Sequence, residues 1–154
     1  GTIQDLTLRN SPTILDTHRL LLENDLDYFY MLSGLWNKKE SFILLEHDVL
    51  PWPGSLEDLW NCPDNWCGFP YRLGHSEGYT PALGCTKFGS TLMEDIPDLF
   101  YRIENKIGFS TNEDPRSWRG IDGRLSLTIS GAIGRGWPHR HEPPVIHLNE
   151  KHLI

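Results

Sequence analysis

Cysteine is scarce in this chain. Cys62, Cys67 and Cys85 make an odd set of three, which argues against the paired disulfide framework of a small secreted domain. Long apolar runs are missing as well: nothing approaches the ~18 residues that a membrane span needs. Positive charge is in deficit, with 14 Lys and Arg against 21 Asp and Glu and a net charge of −7. That balance weighs against a surface that grips nucleic acid by neutralising phosphates, while leaving room for a local basic groove. There is no G-x-G-x-x-G, no P-loop, no G-x-S-x-G and no H-E-x-x-H, which removes the signals of dinucleotide dehydrogenases, P-loop enzymes, serine hydrolases and zincins. Internal repeats and low-complexity segments are absent too. The expected molecule is soluble and intracellular, without a membrane span.

What is present is aromatic and rich in breakers: six Trp, fourteen Gly and eleven Pro in 154 residues. A chain of this length fits one domain with a real core, here residues 1–154. Many aromatics among many turns suggest binding surfaces carried on loops. A short first strand is expected in "TIQDLTL". A helix is expected from Ser11 as N-cap and Pro12 through Trp36, with a break near Asn24 and Asp25. "SFILLE" reads as a strand, and its unbroken apolar run predicts burial on both faces in a parallel sheet. Ser55 and Asp58 resemble a capping box opening a helix to about Asn61. "WCGFPY", "ALGCTKFG" and "VIHL" are further strands, residues 97–108 and 121–134 helices, and "WPHRHEPP" a loop. Strands alternating with helices predict an α/β domain.

Four constellations carry chemistry. At the end of the apolar strand, Glu46, His47 and Asp48 arrive together, and alternation lets the two carboxylates point the same way. Such a pair suits a hard divalent cation, although a solvated acidic loop is the plainer alternative. His139, His141 and His147 crowd the C-terminal region; His139 and His141 share a face if extended, and one of the three is expected to contact metal or phosphate. Asp122, between Gly120 and Gly123, fits a helix N-cap or a general base. Gly84, beside Cys85, allows close approach of backbone to ligand. Cys62 and Cys67 lie too far apart for a C-x2-C knuckle; a zinc site with His75 is one reading, and free thiols the plainer one.

Taken in order, the apolar strand ending in Glu-His-Asp, "CPDNWCGFPY", "LGCTKF", the Trp-x3-Asp loop and "H-x-H…VIHLN" resemble GT-A-fold glycosyltransferases, in particular short phage-type members. The resemblance runs from about Thr7 to His147. It implies a single GT-A-like, Rossmann-like catalytic domain with a central, mostly parallel sheet flanked by helices. With only 45 residues ahead of Glu46, that domain would be reduced at its N-terminus. The resemblance also implies roles. Asp48 is the last acid of a D-x-D motif, holding Mn2+ or Mg2+, with His147 completing the metal site. Glu46 is the first acid, facing ribose or the metal shell, and His47 is the variable middle position. Asp122 is the general base. Gly84, Cys85, Trp118, His139 and His141 would line the donor and acceptor sites, with Trp118 stacking on a sugar.

The implied reaction moves a sugar from a nucleotide-sugar, foremost a UDP-sugar, to a hydroxyl of a glycan, a small molecule or a hydroxymethylated base in phage DNA. Arg116, Arg119, Arg124, Arg135 and Arg140 could supply a local positive groove for the last of these. The implied setting is the cytoplasm, that of the host if a phage encodes the chain, and oligomerisation could complete the site. A metal-dependent phosphodiesterase and a non-catalytic nucleotide-sugar or carbohydrate-binding module remain open beside it.

Overall fold

The computed structural model describes residues 18–72, 78–80 and 82–148. Among them are five helices and eight strands, a mixed α/β arrangement. The order is α1 (Asp27–Asn37), β1 (Phe42–Leu45), β2 (Val49–Leu50), α2 (Ser55–Asn61), β3 (Trp66–Gly68), β4 (Tyr71–Arg72) and β5 (Tyr79–Thr80). It continues with β6 (Cys85–Phe88), α3 (Ser90–Asp95), α4 (Leu99–Glu104), α5 (Ile121–Ile133), β7 (His139–Arg140) and β8 (Ile146–His147). The expected first strand, the Ser11 cap and His75 lie outside the described residues.

The chain forms two compact units. The first takes in Ser41–Phe88 with the described parts of Gly1–Leu20 and Pro138–Ile154; the second is Leu21–Glu40 and Gly89–Trp137. In the first unit a four-stranded sheet runs in the order β1-β6-β3-β7, and two ribbons pair β2 with β8 and β4 with β5. The expectation of a mostly parallel sheet is corrected here. β1 and β3 both run antiparallel to β6, and only β3 and β7 are parallel.

β1 ends the order of its sheet and is half-buried throughout. Its unbroken apolar run therefore has a cause other than a parallel interior. Phe42 meets Phe88 at 5.4 Å between ring centroids. Ile43 and Leu45 instead pack against the cluster of Val49, Leu56, Leu59, Cys67, Phe69, Tyr71, Cys85 and Val145. Helix α2 forms as expected but without the capping box: its N-cap is Gly54, at φ 87°, and the Ser55 hydroxyl bonds back to the Trp52 carbonyl. At such a φ glycine is the residue of least cost.

In the second unit, α1 starts later than its periodicity suggests, and residues 18–23 are not helical. Asp27 explains the start. Its Oδ2 accepts the backbone N–H groups of Glu23 (3.0 Å) and Asn24 (2.9 Å), folding the preceding turn back onto the helix. Those backbone bonds, Asn24's foremost, hold the Asp27 carboxyl below its usual range. Phe29, Leu32 and Trp36 form the buried face of α1. Trp36 donates to the Ile96 carbonyl at 2.8 Å, and Phe100 meets both Phe29 and Trp36 edge-on. α5 ends at Gly134, at φ 76°, whose N–H returns to the Ser130 carbonyl. Among the described residues no helix is long and apolar enough to cross a membrane.

Candidate functional site

β1 releases the chain at Leu45, and a tight turn brings it back into β2, with the Val49 N–H bonded to the Glu46 carbonyl at 3.1 Å. That turn carries Glu46 and Asp48 half-buried and His47 exposed. Glu46 is anchored through its N–H to the Gly84 carbonyl at 2.9 Å. Gly84 is where the lack of a side chain is indispensable. A Cβ there would lie 2.4 Å from Tyr71 Oη, 2.7 Å from Val49 Cγ2 and 2.8 Å from Glu46 Oε1. The buried Tyr71 hydroxyl accepts the Gly84 N–H at 2.7 Å and donates to Glu46 Oε1 at 3.4 Å. Gly84 therefore serves the packing under the acidic turn, a role that "LGCTKF" alone could not assign.

The ribbon of β2 and β8 sets Val49 opposite His147. The neighbour of Val49, Asp48, thereby meets the histidine: Asp48 Oδ2 lies 3.0 Å from His147 Nε2, across 99 positions of sequence. His147 Nδ1 is 2.7 Å from the Arg72 carbonyl. A carbonyl oxygen only accepts, so Nδ1 carries the hydrogen. In the neutral ring Nε2 is then a bare lone pair directed at a carboxylate. Two arrangements relieve that contact: an imidazolium that donates to both partners, or a cation bound by Nε2 and Oδ2 together. The 3.0 Å spacing is common to both: it is an ordinary N–H···O distance, and adjacent donors of an octahedral ion with bonds of ~2.1 Å stand about as far apart. Asp48 and His147, with Glu46 on the same turn, are the residues that would hold the divalent ion the resemblance implies.

A second group of ligand-type side chains gathers on the other C-terminal strand. β7 runs beside β3, with Cys67 opposite His139, and the His141 N–H reaches the Gly68 carbonyl at 2.9 Å. His139 and His141, two apart on an extended chain, stand edge to face at 5.2 Å. Cys62, capping the end of α2, joins them: one ligand atom from each of the three lies within 4.8 Å of the others. His141 packs on Phe69 at 5.2 Å, and its Nε2 is buried with no hydrogen-bond partner. Burial, with the neighbouring His139 adding to it, pushes the His141 imidazole below its usual range. Cys67 donates to the Leu59 carbonyl at 3.8 Å, and burial first of all raises its thiol to about 12.

The remaining expected residues fall elsewhere. Cys85 is wholly buried in β6, and burial pushes its thiol up to about 12. It is a core residue and lines no ligand site, because alternation along β6 turns it into the apolar cluster. Trp118 and Asp122 belong to the second unit. Trp118 is 53% exposed, its ring covered on one side by Arg119, whose guanidinium carbon lies 5.6 Å from the ring centre. Asp122 is not the N-cap of α5. Gly120 is, at φ 72°, and Asp122 sits in the first helical turn, where the helix dipole favours a carboxylate.

The arginines expected to line a basic groove have partners within the fold, Arg119 over the Trp118 ring among them. Arg116 pairs with Asp114 and Arg140 with Glu142, and the buried Arg124 donates to the Ser117 carbonyl. Sequence reasoning missed Tyr71 as the support of Glu46, and it missed Cys62 as the partner of His139 and His141. The one signal for the latter was a cysteine followed by proline at a helix end. Comparison with protein-family models, with curated proteins and with solved structures finds no match to this chain.

Proposed function

We propose that this protein is a divalent-metal-dependent glycosyltransferase of GT-A type. It would move a sugar from a nucleotide-sugar, foremost a UDP-sugar, to an acceptor hydroxyl. The observation that carries this reading is the meeting of Asp48 Oδ2 and His147 Nε2 at 3.0 Å. Those are the two residues to which the resemblance assigns the metal, and the chain brings them together from opposite ends of the first unit. A divalent cation held there would offset the charge that develops on the departing diphosphate.

The chain's own residues do the rest. Tyr71 and Gly84 hold Glu46 at the rim of the acidic turn, where its carboxylate can accept from donor hydroxyls. The Arg72 carbonyl fixes the His147 tautomer, presenting Nε2. In the transfer, the bond between the sugar carbon and the phosphate oxygen breaks and its electron pair leaves with the diphosphate. The acceptor oxygen bonds to that carbon, and its proton goes to a base, a role the resemblance gives to Asp122.

Thermal unfolding with UDP, GDP, CDP and dTDP, each with and without Mn2+, tests the reading. A ligand at a hundred times its Kd should stabilise the fold by about 2.7 kcal/mol. The expected result is a shift that needs one nucleotide and the metal together and is lost in Asp48→Ala. No shift with any pair overturns the donor site. Asp122→Asn should abolish transfer and spare donor binding; unchanged transfer removes Asp122 as base. Cleavage of the donor or of nucleic acid without any acceptor would instead mark a phosphodiesterase.

A further inference from the structure

We propose that Cys62, His139 and His141 form a separate metal site that takes zinc or another thiophilic transition-metal ion through one thiolate and two imidazoles. It shares no residue with the Asp48–His147 pair and does not depend on the glycosyltransferase reading.

Three elements converge to make it. The end of α2 supplies Cys62, and β7 with the residue after it supplies both histidines on one face, docked beside β3. The three ligand atoms lie within 4.8 Å of one another. A tetrahedral ion with bonds of ~2.0 Å to nitrogen and ~2.3 Å to sulfur sets its donors about 3.3–3.5 Å apart. The remaining difference is within the reach of side-chain rotation, since His139 is exposed and Cys62 half-buried.

A second observation points the same way. Nε2 of His141 is buried without a hydrogen-bond partner, an uncommon condition for a buried ring nitrogen and one that a coordinate bond would relieve. Lys87 donates to the Cys62 carbonyl and so fixes the backbone that carries the cysteine, while its charge opposes a dication. Asp58 and Asp64 act on His141 in the opposite sense to Lys87.

The donor set decides the ion. Sulfur with two imidazole nitrogens suits zinc, cobalt and copper, whereas magnesium and manganese prefer oxygen. Three protein ligands leave a fourth position for water or for a further donor.

Cobalt titration of the full chain after EDTA treatment tests the proposal. The expected result is one tetrahedral Co2+ per chain, marked by ligand-field absorption and a thiolate-to-cobalt charge-transfer band, both displaced by Zn2+ and distinct from the weak absorption of any Co2+ held by oxygen donors at Asp48. Cys62→Ser should remove the charge-transfer band. His139→Ala, a change at an exposed position that should leave the far-UV circular dichroism intact, should weaken Co2+ binding by more than about tenfold, the least that even outer-shell losses cost. Asp48→Ala should leave the tetrahedral absorption and the charge-transfer band unaltered. Absence of the charge-transfer band in the native chain overturns the proposal, as does a spectrum and affinity unchanged in His139→Ala. A charge-transfer band that survives in Cys62→Ser overturns the assignment of Cys62.

Discussion

The two C-terminal strands each bring histidine to an earlier part of the first unit, and the partners they meet differ. β8 sets His147 against the carboxylate of Asp48 and the carbonyl of Arg72. β7 carries His139, and with it His141, to the thiol of Cys62. One residue type thus enters an oxygen-rich setting and a sulfur-containing one within nine positions of sequence. An imidazole suits borderline transition ions, and the neighbouring donor moves the preference towards oxygen-seeking or thiophilic ones. On the readings proposed above, the first setting would take Mn2+ or Mg2+ and the second zinc.

The sharpest way to separate the two is Asp48→Ala. Transfer activity should fall by more than about 100-fold, in the range seen when one preorganised electrostatic partner is removed. The cobalt spectrum of the Cys62 group should meanwhile stay as it was. Parallel loss of both would show that the two groups act as one.

The next effect compares their backbones. Gly84→Ala drives a Cβ to 2.4 Å from Tyr71 Oη beneath the acidic turn, whereas Gly68→Ala, on the strand beside His141, meets nothing nearer than 3.1 Å. Overpacking of the first kind should cost about 1–3 kcal/mol. Gly68→Ala should cost less, and urea midpoints at unchanged slope would measure both. Equal losses would mean that Tyr71 gives way more readily than its burial suggests.

The smallest effect serves as a reference from the second unit, where Asp114 is bonded by Arg116 at 2.8 Å and 3.0 Å and needs no further ion. Arg116 holds the Asp114 carboxyl down at about 2, against 3.8 for a free aspartate. A carboxyl with a depressed folded-state value stabilises the fold above pH 3.8 and loses that contribution as pH falls from there towards 2. Asp114→Asn should therefore flatten the acid limb of Tm against pH slightly and leave neutral pH nearly unchanged, because the pair is exposed and screened. A large change at neutral pH would contradict that.

Local features of the fold were legible where local physics decides. The strand at "FILL", the helix ending at Asn61, the strands in "WCGFPY" and "GCTKF", and a helix closed by Gly134 follow from apolar periodicity and turn chemistry. The acidic turn and the histidine-rich end were legible as clusters of ligand-type side chains, but not which of them would meet. The direction of the sheet was not. An unbroken apolar strand is equally served by a parallel interior or by an antiparallel neighbour with Phe88 on one face and an apolar cluster on the other. The start of α1 was misjudged because the Asp27 carboxylate captures the preceding N–H groups, a competition that periodicity does not register.

By itself, then, the sequence determined which chemistries are available: carboxylates at 46 and 48, imidazoles at 139, 141 and 147, thiols at 62 and 67, and no membrane-spanning run. Only the tertiary structure decided the pairings. Asp48 and His147 stand 99 positions apart, and Cys62 is 77 positions before His139. Register across β2 and β8 and across β3 and β7 sets those contacts. Strand register depends on which faces find an apolar partner, a property of the whole packed unit and of no single segment.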